Sequence, residues 1–122
     1  MPGQHALDIY QGDVYVLPFQ LNRRVPDGEG GYTLEPIDIT NFTVLASIAR
    51  NDRATEPTAV FEGAVTDGPE GKLELTLTHE ESMKLTRDAE WDLVTKAPDG
   101  TIKTWLRDEV RVTRRITNVP SD

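Results

Sequence analysis

Residues 71–85 read GKLELTLTHEESMKL, and two rhythms meet inside this stretch. Leu73, Leu75 and Leu77 alternate with Lys72, Glu74 and Thr76, the period-two pattern of a strand with one buried face. The alternation stops at Thr78. From there Thr78-His79-Glu80-Glu81 has the spacing of a helix capping box, in which the threonine hydroxyl accepts from the amide of Glu81 and the Glu81 carboxylate reaches back to the amide of Thr78. Both glutamates then sit at the positive end of the helix dipole, and Ser82 or Met83 with Leu85 face the core. The stretch therefore predicts a strand, a corner and a helix of one to two turns. His79-Glu80 also matches the first half of the zinc-peptidase helix motif, which needs a second histidine four residues after the first. Met83 stands there, so the capping role explains the stretch without a metal.

Working outward, the same half-buried pattern recurs. Downstream, Glu90–Lys96 and Thr101–Thr113 flank Ala97-Pro98-Asp99-Gly100, in which proline presets a turn dihedral, aspartate bonds its own backbone and glycine takes the left-handed position. Upstream, TVLASIAR (43–50) places Val44, Ala46 and Ile48 on one face. TAVFEGAV (58–65) is a weaker strand, thinned by Gly63. The opening DIYQGDVYVLPFQL breaks at Gln11-Gly12-Asp13 and then alternates from Val14 to Leu21, with Pro18 confining it to a sheet edge or a bulge. NRRVPDGEGGY (22–32) has no apolar rhythm and reads as a mobile glycine-rich loop. About seven short strands, one short helix and no crossover helices predict an antiparallel sandwich or small barrel.

The 122 residues suit one domain, 1–122, with flexible tails at 1–7 and 117–122. There is no cysteine, which excludes disulfides, thiol nucleophiles and thiolate metal sites. Asp and Glu outnumber Lys and Arg by 21 to 13, a net charge of −8, so nothing draws the chain generally to nucleic acid or to anionic membranes. The first residues, MPGQHALDIYQGD, lack a signal peptide's charged and apolar regions, and no apolar run approaches the roughly 20 residues of a membrane span.

The chemistry-bearing motifs thin out quickly. The acidic turns around Asp27-Gly28-Glu29 and Asp67-Gly68-Pro69-Glu70 suggest calcium, but their spacing is not that of an EF-hand, and Asp-Gly is ordinary turn chemistry. Ser47, Ser82 and Ser121 lack a nucleophile elbow, and GEGG is not a phosphate loop. Catalytic, cofactor and metal residues are therefore expected to be none. The last strand says more. With Ile102, Thr104, Leu106, Val110 and Val112 inward, Lys103, Trp105, Arg107, Glu109 and Arg111 point outward. A tryptophan between cations is a candidate partner contact. The alternative is a bulge that shifts the register and buries Trp105, or a loop that covers it. Arg114 and Arg115 add a second basic spot at the strand end.

In order, Gln11 to Asp13, Ile37 to Val44 (IDITNFTV), Leu75 to Ser82 (LTLTHEES) and Trp91 to Leu106, with its PDG hairpin, resemble a bacteriophage tail module: the immunoglobulin-like β-sandwich of the baseplate upper protein N-terminal type. The resemblance spans nearly the whole chain through short turn and cap motifs whose order carries it. The insertion at Val25 to Tyr32 is longer than the family pattern. The resemblance implies an all-β, antiparallel immunoglobulin-like sandwich of about seven strands with one short helix. It also implies a non-enzymatic virion structural protein, a tail or baseplate adaptor joining those components to fibres or receptor-binding proteins. Its expected place is the virion tail, assembled in the host cytoplasm in symmetric multiple copies, with other virion proteins as partners and no cofactor, nucleic acid or membrane. Lys103, Trp105, Arg107, Arg111 and Tyr32 are the candidate contacts. The other reading is a carbohydrate-binding sandwich, in which Trp105 or Trp91 with Tyr15 or Tyr32 stacks on sugar.

Overall fold

Leu73, Leu75 and Leu77 are sealed from solvent while Lys72 is exposed and Glu74 and Thr76 are half-buried, so the alternation sets the face that strand turns to the core. The computed structural model describes residues 3–51 and 53–116. In chain order the elements are β1 (Leu7–Tyr10), β2 (Tyr15–Gln20), β3 (Asn22–Pro26), β4 (Tyr32–Pro36), β5 (Thr43–Ala49), β6 (Ala59–Val60), β7 (Glu62–Asp67), β8 (Lys72–Leu77), α1 (His79–Met83), β9 (Ala89–Lys96) and β10 (Ile102–Thr113).

Two sheets face each other. One runs β1-β10-β9-β5-β6, the other β2-β8-β7, and β3-β4 forms a separate ribbon. All pairings are antiparallel except β1 with β10, where Leu7 lies beside Val110 and Tyr10 beside Thr113. The core fills the space between the sheets: Val44, Ala46, Ile48, Trp91, Leu93 and Val110 from one side, Leu73, Leu75 and Leu77 from the other, with Phe61 where the chain crosses over. This is the expected all-β sandwich, and the one short helix among the described residues sits at the corner between β8 and β9. Among the described residues the strands number ten: the first segment splits at its Gln11–Asp13 turn, TAVFEGAV (58–65) splits at Phe61, and the ribbon supplies two that were read as loop.

Trp91 is the largest buried side chain. Its ring packs against Phe61 at 5.8 Å, Phe19 at 6.0 Å and the His5 ring at 6.4 Å, and its indole N–H donates to the His5 carbonyl at 2.8 Å. The expected N-terminal tail is therefore not free. Gly3 donates to the Trp105 carbonyl at 2.8 Å and accepts from the Arg107 amide at 3.0 Å, His5 covers Trp91 and Phe19, and Leu7 is buried in β1. The expected tail at 117–122 lies outside the described residues, as do Met1 and Pro2.

The predicted loop at 22–32 is mostly the ribbon β3–β4. Its tip is closed by Asp27, whose carboxylate accepts from the amides of Glu29 at 2.8 Å and Gly31 at 3.1 Å. Its base is tied to the sandwich where Leu21 donates to Gly71 O at 2.8 Å and Ile37 donates to Leu21 O at 2.9 Å. Between tip and base the ribbon packs on itself, and β4 is exposed along its whole length.

Candidate partner-contact surface

The corner that begins at Thr78 forms much as its residues dictate, with one substitution of partner. Thr78 Oγ1 accepts from the Glu81 amide at 3.3 Å. The Glu81 carboxylate does not return to Thr78. It accepts instead from the Val60 amide at 2.9 Å and from Lys84 Nζ at 2.5 Å, which ties the helix to β6. His79 donates from Nδ1 to Gly12 O at 2.7 Å, buried Ser82 accepts from the Gly12 amide at 2.8 Å, and Gln11 donates to Met83 O at 3.0 Å. His79 thus anchors the helix to the turn between β1 and β2. Arg115 secures the same turn, donating to Gln11 O at 2.9 Å and pairing with Asp13.

The hydrogen bond from Lys84, and after it the one from the Val60 amide, hold the Glu81 carboxyl below its ordinary 4.5. A depressed folded-state value means the stabilisation is present above the unfolded value and is lost as pH falls through the folded one. The stability difference between wild type and Glu81→Gln is therefore expected to be full at neutral pH and to close below pH 4.5. Urea denaturation at a series of pH values checks this; a constant difference down to the most acid point would show that the carboxylate charge is irrelevant.

The five candidate contacts do not form one patch. A β-bulge between Thr104 and Leu106 breaks the register of β10. It turns Trp105 toward the inner side, where it is half-buried and donates from Nε1 to buried Thr95 Oγ1 at 2.8 Å. Lys103 stands 4.1 Å from the centre of its ring. The expected inward face holds for Leu106, Val110 and Val112, but Ile102 and Thr104 are exposed on the opposite side. The outward-facing Trp105 expected from an unbroken alternation is thus corrected: a bulge lets two consecutive residues share one face.

Arg107 and Arg111 do face outward, on the solvent side of the five-stranded sheet. Arg107 Nη2 lies 3.8 Å from Glu90 Oε2, opposite Asp92 in the pairing, and Arg111 Nη2 lies 3.1 Å from Glu109 Oε1. Such exposed pairs are worth little in stability. Tyr32 is remote from all of these, exposed on the ribbon beside Leu34.

Sequence reasoning missed a groove of about 370 Å³ on the outward face, walled by the loop through Ala54, Glu56 and Pro57 and floored by Ser47, Ala49, Glu90, Asp92 and Arg107. Burial pushes the Asp92 carboxyl up, and Arg107 partly offsets that.

The aromatic residues considered for sugar stacking are mostly occupied: Trp91 is buried, Trp105 is turned in under Lys103, and the half-buried Tyr15 accepts from the Tyr10 amide at 2.7 Å through its hydroxyl. Among the described residues no three His, Asp or Glu side chains are grouped as a metal site requires, and no helix is long and apolar enough to cross a membrane. Compared with known protein families and with curated proteins, the chain matches none.

Proposed function

We propose that this chain is a non-enzymatic structural protein of a bacteriophage virion, an adaptor in the tail or baseplate that joins those components to fibres or receptor-binding proteins. The ordered series of the Gln11–Asp13 turn, the Ile37–Val44 strand start, the Leu75–Ser82 corner and the Trp91–Leu106 hairpin supports the tail assignment. The observation that carries the adaptor role is the β3–β4 ribbon. An isolated two-stranded hairpin is marginal in water, yet this one stands off a well-packed sandwich with Tyr32 and Leu34 exposed on one face. Its purchase on the sandwich is at its base, and its apolar face is available to a neighbouring subunit.

The mechanism is a rigid sandwich that presents an arm. Pro26 and Tyr32 lie opposite each other near the tip, and Arg24 and Leu34 lie opposite each other nearer the base, so these four share one face of the arm while Val25, Thr33 and the Arg23–Glu35 pair share the other. A docked neighbour would bury that face and supply the packing that the ribbon lacks.

The experiment is a pull-down of purified tail and baseplate proteins with the full chain and with the double variant Tyr32→Ser, Leu34→Ser. The wild-type chain is expected to retain at least one tail protein, and the variant, with unchanged melting of the sandwich, to retain about tenfold less or none. A folded wild-type chain that retains no tail protein even at low salt would overturn the assignment.

A further inference from the structure

Strand pairing orders the outward face of the five-stranded sheet into rows. Thr43, Lys96 and Ile102 lie side by side; next come Leu45, Val94 and Thr104; then Val60, Ser47, Asp92 and Arg107; then Ala49, Glu90 and Glu109. Ile102, Leu45 and Val60 are 66%, 51% and 42% exposed. With Val94 they form an apolar diagonal across the sheet face, and contiguous exposed apolar surface marks a docking site.

Charge is arranged about that diagonal. Lys96 lies on one side of Val94 along β9, and Asp92 lies at the same remove, two residues, on the other. Beyond Asp92, Glu90 and Glu56 join it around the groove, with Arg107 as the guanidinium among three carboxylates. The face is therefore complementary to itself. Consider a two-fold axis lying in the plane of contact and running across the strands along the row Leu45, Val94, Thr104. Under this operation Val94 meets Val94 and Leu45 meets Leu45, while Ile102 falls over the partner's Arg107. Each Lys96 falls over the partner's Asp92, and the turn Ala97–Gly100 is carried toward the partner's groove.

We propose that this face is the contact between two copies of the chain, an isologous dimer with Leu45 and Val94 at its centre and a Lys96–Asp92 pair on each side. With a net charge of −8 per copy, association has to overcome general repulsion. A face that opposes cation to carboxylate twice over does so locally. An unrelated basic partner would satisfy the groove but leave Lys96 opposed; a second copy answers both. The dimer draws on the sheet face alone and goes beyond the adaptor assignment, so failure to bind tail proteins would leave it standing.

The test is sedimentation velocity of the full chain over a range of micromolar concentrations. A reversible monomer–dimer equilibrium is expected. Lys96→Glu and Asp92→Lys are each expected to weaken it about tenfold or more, and the double reversal to recover most of that loss, because the pair is then restored with its signs exchanged. Leu45→Arg is expected to give a monomer whose circular dichroism and melting match wild type. Should Asp92→Lys fail to fold, the exposed changes Lys96→Glu and Leu45→Arg decide the matter. The dimer is overturned by a wild-type chain that stays monomeric, by a dimer or larger ring indifferent to Leu45→Arg, or by a monomer that uses this face to capture a different protein.

Discussion

Replacing Trp91 by alanine is expected to cost about 4 kcal/mol, a large share of the stability a domain of this size holds. Three effects add. The indole is buried among Phe19, Phe61 and His5, and no other side chain of the core is large enough to occupy its volume. Its removal leaves a cavity between the sheets, and cavity cost comes on top of lost transfer energy. It also strands the His5 carbonyl, which accepts the indole N–H at 2.8 Å and fixes the N-terminal segment across the open side of the sandwich. Urea denaturation followed by circular dichroism gives the number. Trp91→Phe separates the parts, since a phenyl ring keeps most of the packing and loses the hydrogen bond; about 2 kcal/mol is expected there. Equal losses for the two variants would mean that the ring volume contributes little, contrary to its place at the centre of the core.

Gly71→Ala is expected to cost about 3 kcal/mol, although the change adds one methyl group in a turn. Gly71 has φ +70°, and a Cβ built there meets Leu21 O at 2.5 Å and Ile37 O at 2.7 Å. Both obstacles are backbone. The Leu21 carbonyl is held by the Ile37 amide, and the Leu21 amide in turn donates to Gly71 O, so neither chain can retreat without opening the base of the ribbon. Gly100→Ala is the control. Its φ is +94° and nothing stands within 4 Å of a Cβ there, so it bears the conformational cost alone, about 1 kcal/mol. The difference between the two variants measures the close approach. Hydrogen exchange in Gly71→Ala is expected to quicken in β3 and β4 before β9; uniform quickening would mean that the ribbon base is not where the strain falls.

What could be read from the sequence was local. The Leu73, Leu75 and Leu77 alternation, the Thr78 cap and the Pro98-Asp99-Gly100 turn each depend on neighbours within a few residues, and each forms as expected. The ribbon could not be read. NRRVP and YTLEP are wet on both faces, so no alternation records their strand character. The bulge at Trp105 is equally silent, because it changes which side a residue faces without changing any residue type, and it divides the candidate contacts into Lys103 with Trp105 on one side and Arg107 with Arg111 on the other. The Glu81 carboxylate left its capping position for the Val60 amide, 21 residues away, a competitor visible only after folding. His5 looked like tail for the same reason: its partners Phe19 and Trp91 are distant in the chain.

The parallel pairing of β1 with β10 bears on how the domain carries mechanical load. Chain enters at Gly3, beside Trp105, and leaves past Thr113, beside Tyr10, so the two strands run side by side in the same direction with their outer ends at opposite poles. A force that pulls Gly3 and Ile116 apart therefore acts along the β1–β10 ladder and strains its hydrogen bonds together, in shear. Had the first strand paired antiparallel, the same pull would peel the bonds one at a time. Shear is the stronger loading mode, because no single bond can fail while its neighbours still hold. A tensile pull along the chain would thus meet its resistance at Leu7–Tyr10 and Val110–Thr113, ahead of the core.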